Sequence, residues 1–236
     1  MAKSGAVLVV GAGPGLGSAV ARRFSKAGLA IAVSTRTQKT VDDLAAQINQ
    51  TGGTSKGYVA DATDEDAVIS LFDRVERDLG SLDVVVYNAG AFTRSPVIET
   101  SAEVFESCWK IGCFGGFLVA REAARRMLPR KQGTILITGA TAALRGSANF
   151  VNLAVGKFGL RALAQSMGRE LGPEGIHVAH VIIDGVIAAE HREQNSQDSD
   201  DLLSPEAIAQ TYFELYAQHR SAWTLEIDLR PWIEQF

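Results

Sequence analysis

The chain has 236 residues, with 23 Lys and Arg against 27 Asp and Glu, a formal net charge of −4. An apolar content of 46% and a charged content of 21% exclude a disordered or collagen-like polypeptide, and the mild acidity leaves no basic footprint for nucleic acid. A chain this long can form one large α/β domain and bury enough surface to need neither disulfide nor metal staple.

Met1–Gly5 runs straight into an apolar segment with no signal-peptide pattern. In chain order, strands are predicted over Ala6–Val10, Leu29–Val33, Ser55–Ala60, Leu82–Val86, Thr134–Ile137 and Ile176–Ile183. Their continuous Val- and Ile-rich runs suit strands buried on both faces of a parallel sheet. Between them lie helical patterns over Leu16–Ala27, Thr40–Thr51, Asp64–Leu79, Ala102–Met127 (one piece or two) and Asn149–Leu171, and a last helix spans Pro205–Gln218. Gly28, Gly80 and Gly172-Pro173 supply stop signals. The tail Trp223–Trp232 reads as a final edge strand with an aromatic plug. The expected fold is a single-domain, doubly wound, Rossmann-like α/β protein: a mainly parallel sheet with helices on both faces.

No Pro- or Ser-rich linker and no repeat divides the chain. The polar segment Glu190–Asp201 has two readings. It is a solvated surface loop, or part of a lid over 186–204 covering the carboxyl ends of the strands, where open α/β sheets bind ligands. Cys108 and Cys113 form neither a disulfide framework nor a zinc set, and read as small buried thiols. His177 and His180 lie three apart on one strand, hence on opposite faces, and share no metal; His191 and His219 read as surface residues. No run approaches the ~18 apolar residues of a membrane span, so the expectation is a soluble cytoplasmic protein.

The first strand feeds Gly11-Ala12-Gly13-Pro14-Gly15-Leu16-Gly17, followed at once by a helix. A helix N-terminus offers unpaired N–H groups and partial positive charge to an anion. Glycines let the backbone approach a pyrophosphate and let the helix pack on the strand. The spacing is G-x-x-x-G-x-G at Gly11, Gly15 and Gly17. Asp61 follows the third strand, Asn88-Ala89-Gly90 the fourth, Lys157 sits in the long helix, and Asp184-Gly185 follows the sixth strand. In this order and spacing the sequence resembles the short-chain dehydrogenase/reductase family over about residues 5–230. The resemblance implies a bound dinucleotide, with Gly11, Gly15, Leu16 and Gly17 around the pyrophosphate and Asp61 and Ala62 by the adenine. It also places Asn88, Ala89 and Gly90 by the adenine ribose, and Lys157, Gly185 and Ile187 at the nicotinamide end. It further implies a homodimer or homotetramer built on the helices within Ala102–Met127 and Asn149–Leu171, with the tail 223–236, including Trp232 and Phe236, in a subunit interface.

An acidic residue after the second strand would accept hydrogen bonds from an NAD ribose. Thr35 stands there, followed by Arg36. A guanidinium suits a 2′-phosphate by charge and fork geometry, so NADP(H) is the expected cofactor; the alternative is a solvated arginine at a helix start.

The family's chemistry uses a tyrosine four residues before the lysine, a serine thirteen before that, and an asparagine in the preceding helix. Here those positions hold Leu153, Ala140 and Gly112, and no tyrosine occurs between Tyr87 and Tyr212. A positioned general acid contributes about 10²–10⁴-fold, so the expected site is atypical. Lys157, as an acid with a pKa depressed by burial, and Thr141, as a carbonyl-orienting hydroxyl, are the candidate catalytic residues. Asn149 shares a predicted helix face with Leu153 and Lys157, and Asp184 is a carboxylate near the nicotinamide or a turn cap. Phe92, Val97, Ile98 and Ile187 suggest an apolar substrate wall. The expected function is an NADP-dependent oxidoreductase acting on an unknown carbonyl or alcohol; the alternative is a non-catalytic NADP(H)-binding protein, acting as sensor or scaffold.

Overall fold

The computed structural model describes residues 5–188 and 201–233. The centre of the expected lid, His191 and Phe236 lie outside the described residues.

Sixteen elements follow in chain order among these residues: β1 (Ala6–Val10), α1 (Leu16–Lys26), β2 (Ala30–Thr35), α2 (Gln38–Gln50), β3 (Ser55–Val59), α3 (Glu65–Leu79), β4 (Leu82–Tyr87), α4 (Ala102–Trp109), α5 (Gly115–Met127), β5 (Gly133–Thr138), α6 (Val151–Leu171), β6 (Ile176–Ile183), β7 (Val186–Ile187), β8 (Leu202–Leu203), α7 (Pro205–Ala217) and β9 (Glu226–Leu229). Seven strands form one sheet in the order β3-β2-β1-β4-β5-β6-β9, and each neighbouring pair is parallel. The expected doubly wound sheet is therefore present, including the edge strand in the tail. β2 runs on to Thr35 because β3 pairs with it as far as Thr35↔Val59.

Alternation on the buried strands divides the core by face. Val7, Val9, Ala179, Val181 and Ile183 pack with α1 and α7, whereas Leu8, Val10, Ile135, Ile137 and Val178 pack with α3, α5 and α6. This period-2 division is that of strands covered by helices on both sides. His177 and His180 fall on opposite faces for the same reason. His177 stacks on Trp223, with ring centroids 4.9 Å apart and planes 4° apart, and His180 reaches Glu226. No helix among the described residues is long and apolar enough to cross a membrane.

Two departures bear on the site. The segment predicted over Ala102–Met127 is two α-helices joined by a π-helical turn at Lys110–Phe114. Gly112 sits in that turn and meets Gly156 of α6: a Cβ on Gly156 would lie 3.2 Å from Gly112 backbone atoms. The two glycines let the helices touch backbone to backbone. In addition, α6 begins at Val151 rather than Asn149. Asn149 has φ of 68°, a left-handed conformation that asparagine tolerates better than most residues. It lies outside the helix and does not share a face with Lys157.

β7 and β8 form a separate two-residue parallel ladder. It ties the two described ends of the expected lid together. Trp232 is 82% exposed.

Gly156→Val tests the helix contact. Backbone cannot swing aside as a side chain can, so the substitution is expected to cost about 1–3 kcal/mol, read as a lowered midpoint in thermal unfolding.

Candidate functional site

The strand order reverses between β1 and β4, whose carboxyl ends open the crevice where doubly wound sheets bind ligands. Gly11 leaves β1 with φ of 86°, and a Cβ there would lie 2.4 Å from the Ala89 nitrogen. A Cβ on Gly17 would lie 2.4 Å from the Gly11 carbonyl oxygen. Both positions therefore require glycine. Asn88 Nδ2 donates to the Gly11 carbonyl at 2.9 Å and its backbone N–H donates to Val10 O at 2.8 Å, locking the loop to the end of β4. Gly13, Gly15 and Gly90 instead face open space.

The loop forms the shared wall of two adjoining cavities. On the β2 side is a cavity of about 330 Å³, lined by Gly11, Arg36, Asp61, Ala62, Asn88, Ala89 and Gly90 among others. On the β6 side is a cavity of about 630 Å³, lined by Gly15, Leu16, Gly17, Ala140, Lys157, Gly185 and Ile187 among others. Gly11, Gly13, Pro14, Asn88 and Gly90 border both. The groove thus gathers every cofactor-binding residue expected from the sequence.

The chemistry of the groove fits a dinucleotide. No side chain caps the α1 N-terminus at Gly15, and its first turn carries no acidic residue, so the helix end presents a bare positive pole. Ser34, missed in the sequence, lines the β2-side cavity. Its buried hydroxyl has no hydrogen-bond partner, an unusual cost unless a ligand meets it. The only signal for it was a hydroxyl at the end of an otherwise apolar strand. Thr35 is occupied locally: its hydroxyl donates to Thr37 O and accepts the Thr37 N–H, both at 3.2 Å. Arg36 is exposed on the rim. Burial works to raise the Asp61 carboxyl, but hydrogen bonds from the Thr63 N–H and hydroxyl and the Arg36 charge outweigh it and hold the group below its ordinary value.

At the other end, Lys157 is the one ionisable side chain among the described residues that line the β6-side cavity. It is buried, and Nζ donates to the Thr138 carbonyl at 2.7 Å. Burial pushes its pKa down to about 8. No tyrosine is among the described residues that line this cavity. Tyr87 donates to Ile111 O at 2.5 Å, and Tyr212 is buried with its hydroxyl 2.7 Å from that of Thr138.

The structure redirects two candidates. Thr141 donates its single hydroxyl proton to Asp184 at 2.5 Å, so it has no proton left to orient a carbonyl. Neither Thr141 nor Asp184 lines the cavity. Arg230 and Arg145 stand 3.7 and 4.0 Å from the Asp184 carboxylate, so its charge is spent on a clamp between the loop after β5, the end of β6 and the tail. The apolar wall is likewise divided. Ile187 lines the Lys157 cavity, Phe92 stacks on Phe150 at 4.8 Å, and Val97 and Ile98 join Val155 and Phe158 in a separate apolar groove of about 880 Å³. Asn149 lines that groove rather than the Lys157 cavity. No cluster of three metal-ligating side chains occurs among the described residues.

Comparison with known proteins agrees with this geometry. The family profile described as short chain dehydrogenase matches residues 5–200. The chain is 33% identical over 187 residues to the 3-oxoacyl-[acyl-carrier-protein] reductase MabA of Mycobacterium avium, covering 79% of this chain and 69% of that protein. A crystal structure of a short-chain dehydrogenase from Rhodopseudomonas palustris superposes with a TM-score of 0.85 at 38% identity, covering 97% of this chain and 99% of that one. An alcohol dehydrogenase from the archaeon Thermococcus sibiricus, complexed with 5-hydroxy-NADP, has the same fold, with a TM-score of 0.88 at 21% identity over 98% of each chain. With the profile spanning most of its length, and with the glycine loop, Asn88 and Lys157 gathered on one groove, the chain belongs to the short-chain dehydrogenase family.

Proposed function

We propose that the protein is an NADP(H)-dependent oxidoreductase whose cavity carries one ionisable side chain among the described residues, Lys157. The observation that supports this most directly is the placement of Lys157. It is the one ionisable group among the described residues lining a cavity that shares the glycine loop with the β2-side cavity and borders the uncapped α1 N-terminus. When bound, the nicotinamide supplies or accepts hydride. The chain's own residues do the rest. The loop backbone and the α1 pole hold the pyrophosphate, Ser34 and Arg36 meet the adenosine ribose and its 2′-phosphate, and Lys157 Nζ holds or releases the proton of the substrate oxygen. Ala140 and Leu153 leave a carbonyl with no hydroxyl to polarise it, so turnover is slow for the family and depends on proximity. The substrate is a carbonyl compound or the corresponding alcohol.

A second reading, a non-catalytic NADP(H)-binding protein, draws support from the same substitutions and from the Thr141 proton being committed to Asp184. Turnover separates the two.

Arg36→Ala is expected to weaken NADPH binding at least tenfold while changing NADH binding less than twofold, as a charge-assisted contact to the 2′-phosphate requires. Fluorescence titration with each nucleotide reads this, and equal weakening of both would sink the NADP assignment. For turnover, NADPH oxidation is followed with an aromatic diketone probe such as phenanthrenequinone. A Lys157 donor is charged below its pKa, so kcat is expected to hold below about pH 8 and to fall about tenfold per unit above it. Lys157→Arg should abolish that limb; tight NADPH binding with no turnover at any pH would favour the non-catalytic reading. We further propose a homo-oligomer, since Phe117, Val155 and Phe158 on α5 and α6 and Trp232 in the tail are exposed and such apolar surface is costly in water. Sedimentation velocity is expected to give a dimer or larger, and a monomer at micromolar concentration would exclude it.

A further inference from the structure

Tyr87 ends β4, directly before Asn88, and is 1% exposed. Its ring packs on the face of the sheet covered by α3, α5 and α6. Two glycines make room for it. A Cβ on Gly115 would lie 2.7 Å from the Tyr87 hydroxyl and 3.0 Å from the Ala62 carbonyl oxygen, and one on Gly116 would lie 3.1 Å from the ring. The hydroxyl donates to the Ile111 carbonyl at 2.5 Å. Burial raises the phenol above its ordinary pKa, so the proton stays in place and the group is a permanent donor. Ile111 belongs to the π-helical turn between α4 and α5, where the Gly115 N–H bonds to Lys110 O, five residues back. Such turns are rare and frequent at functional sites. Ile111 also lines the β2-side cavity, where it is the largest aliphatic side chain among the described residues. The other side chains on that cavity are mostly small or polar.

Resting on the reading of the β2-side cavity as the adenosine end of a dinucleotide site, we propose that Tyr87 is a positioning residue for the cofactor: its hydroxyl pins the π-helical turn to β4 and so holds Ile111 as the apolar wall for the purine. A purine is flat. It needs an apolar surface at a fixed distance from the groups that meet its ribose and 2′-phosphate. Ser34 and Arg36, at the end of β2, border the same cavity and are placed by the sheet. Ile111 is carried by a turn between two helices, so a bond from the sheet is what fixes its distance from them. Successive residues at the end of β4 divide this task. Asn88 holds the glycine loop through the Gly11 carbonyl, and Tyr87 holds the π-helical turn through the Ile111 carbonyl. Gly11 and Ile111 both border the cavity, whereas Tyr87 is not among the described residues that line it. Tyr87 therefore acts through Ile111.

The test uses the full chain and the variant Tyr87→Phe, which keeps the ring and removes only the hydroxyl. Hydrogen–deuterium exchange of the free protein is expected to speed up about fivefold in the π-helical turn, as loss of one hydrogen bond implies, and to stay unchanged in the glycine loop. Calorimetric titration with adenosine 2′,5′-bisphosphate, the fragment that fills this half of the site, is expected to show about fivefold weaker binding. Ile111→Ala separates positioning from general loosening. It removes the wall itself, so it should weaken the bisphosphate on its own, and Tyr87→Phe added to it should cost nothing more. Unchanged exchange in the turn, bisphosphate affinity equal to the parent's, or fully additive losses in the double variant each overturn the proposal. The two readings fail separately. A parent that binds neither NADPH nor the bisphosphate overturns the cofactor reading, and with it the purine wall. A parent that binds both, with Tyr87→Phe binding as tightly, overturns the role of Tyr87 alone.

Discussion

The contact between the glycine loop and the end of β4 is the constraint on which the site depends. At the point where strand order reverses, Gly11 must bring its backbone against Ala89, and Asn88 must reach back to the Gly11 carbonyl. Any side chain at Gly11 or Gly17 would separate the two halves of the sheet at this seam. With the seam closed, α1 begins at the crevice, and the β2-side and β6-side cavities share the loop as a common wall. The two together suit the two halves of a dinucleotide because the backbone itself forms the wall between them.

Around this half, several small and polar residues make sense as packing. Gly112 and Gly156 are small together, so a π-helical turn and α6 meet without side chains between them. Thr141 and Asp184 answer each other by a hydrogen bond and recruit Arg230 from the tail. A lysine buried without a neighbouring carboxylate or tyrosine then loses hydration with little compensation beyond one carbonyl, which lowers its pKa toward neutrality. These contacts leave Lys157 as the one ionisable side chain among the described residues that line the β6-side cavity.

How much of this was legible in sequence follows from the range of each interaction. Continuous apolar runs between glycine stops set out the principal sheet strands and major helices, because burial on two faces and helix termination are local demands. The groove was legible too, since a glycine loop after a strand has few uses. Asn149 was misplaced because a helical apolar period extends back past a residue whose left-handed backbone ends the pattern. Thr141 was misread for another reason. Its partner Asp184 is 43 positions away, and nothing in either local sequence says which of the two directions available to a hydroxyl it will take. The pairing of Glu226 with Arg161 across 65 positions and with His180 across 46 was invisible in the same way: the register of β9 on β6 decides it.

That register also changes the meaning of the last strand. An edge strand needs only one neighbour, and among the described residues β9 has only β6. Yet the segment it belongs to grips the site repeatedly. Trp223 covers His177, Glu226 joins His180 to Arg161, Leu229 O accepts the Asp184 N–H, and Arg230 stands by the Asp184 carboxylate. Several of these contacts fall at charged or titratable groups of β6. Alternation in the pleat accounts for the rest: with His180 opposite Glu226 on the α6 face, His177 must turn to the other face and meet the residues that precede β9. A strand that closes the sheet therefore also sets the partners of polar groups on β6 and in the loop that follows it, so the register of the last strand fixes which of those groups are paired.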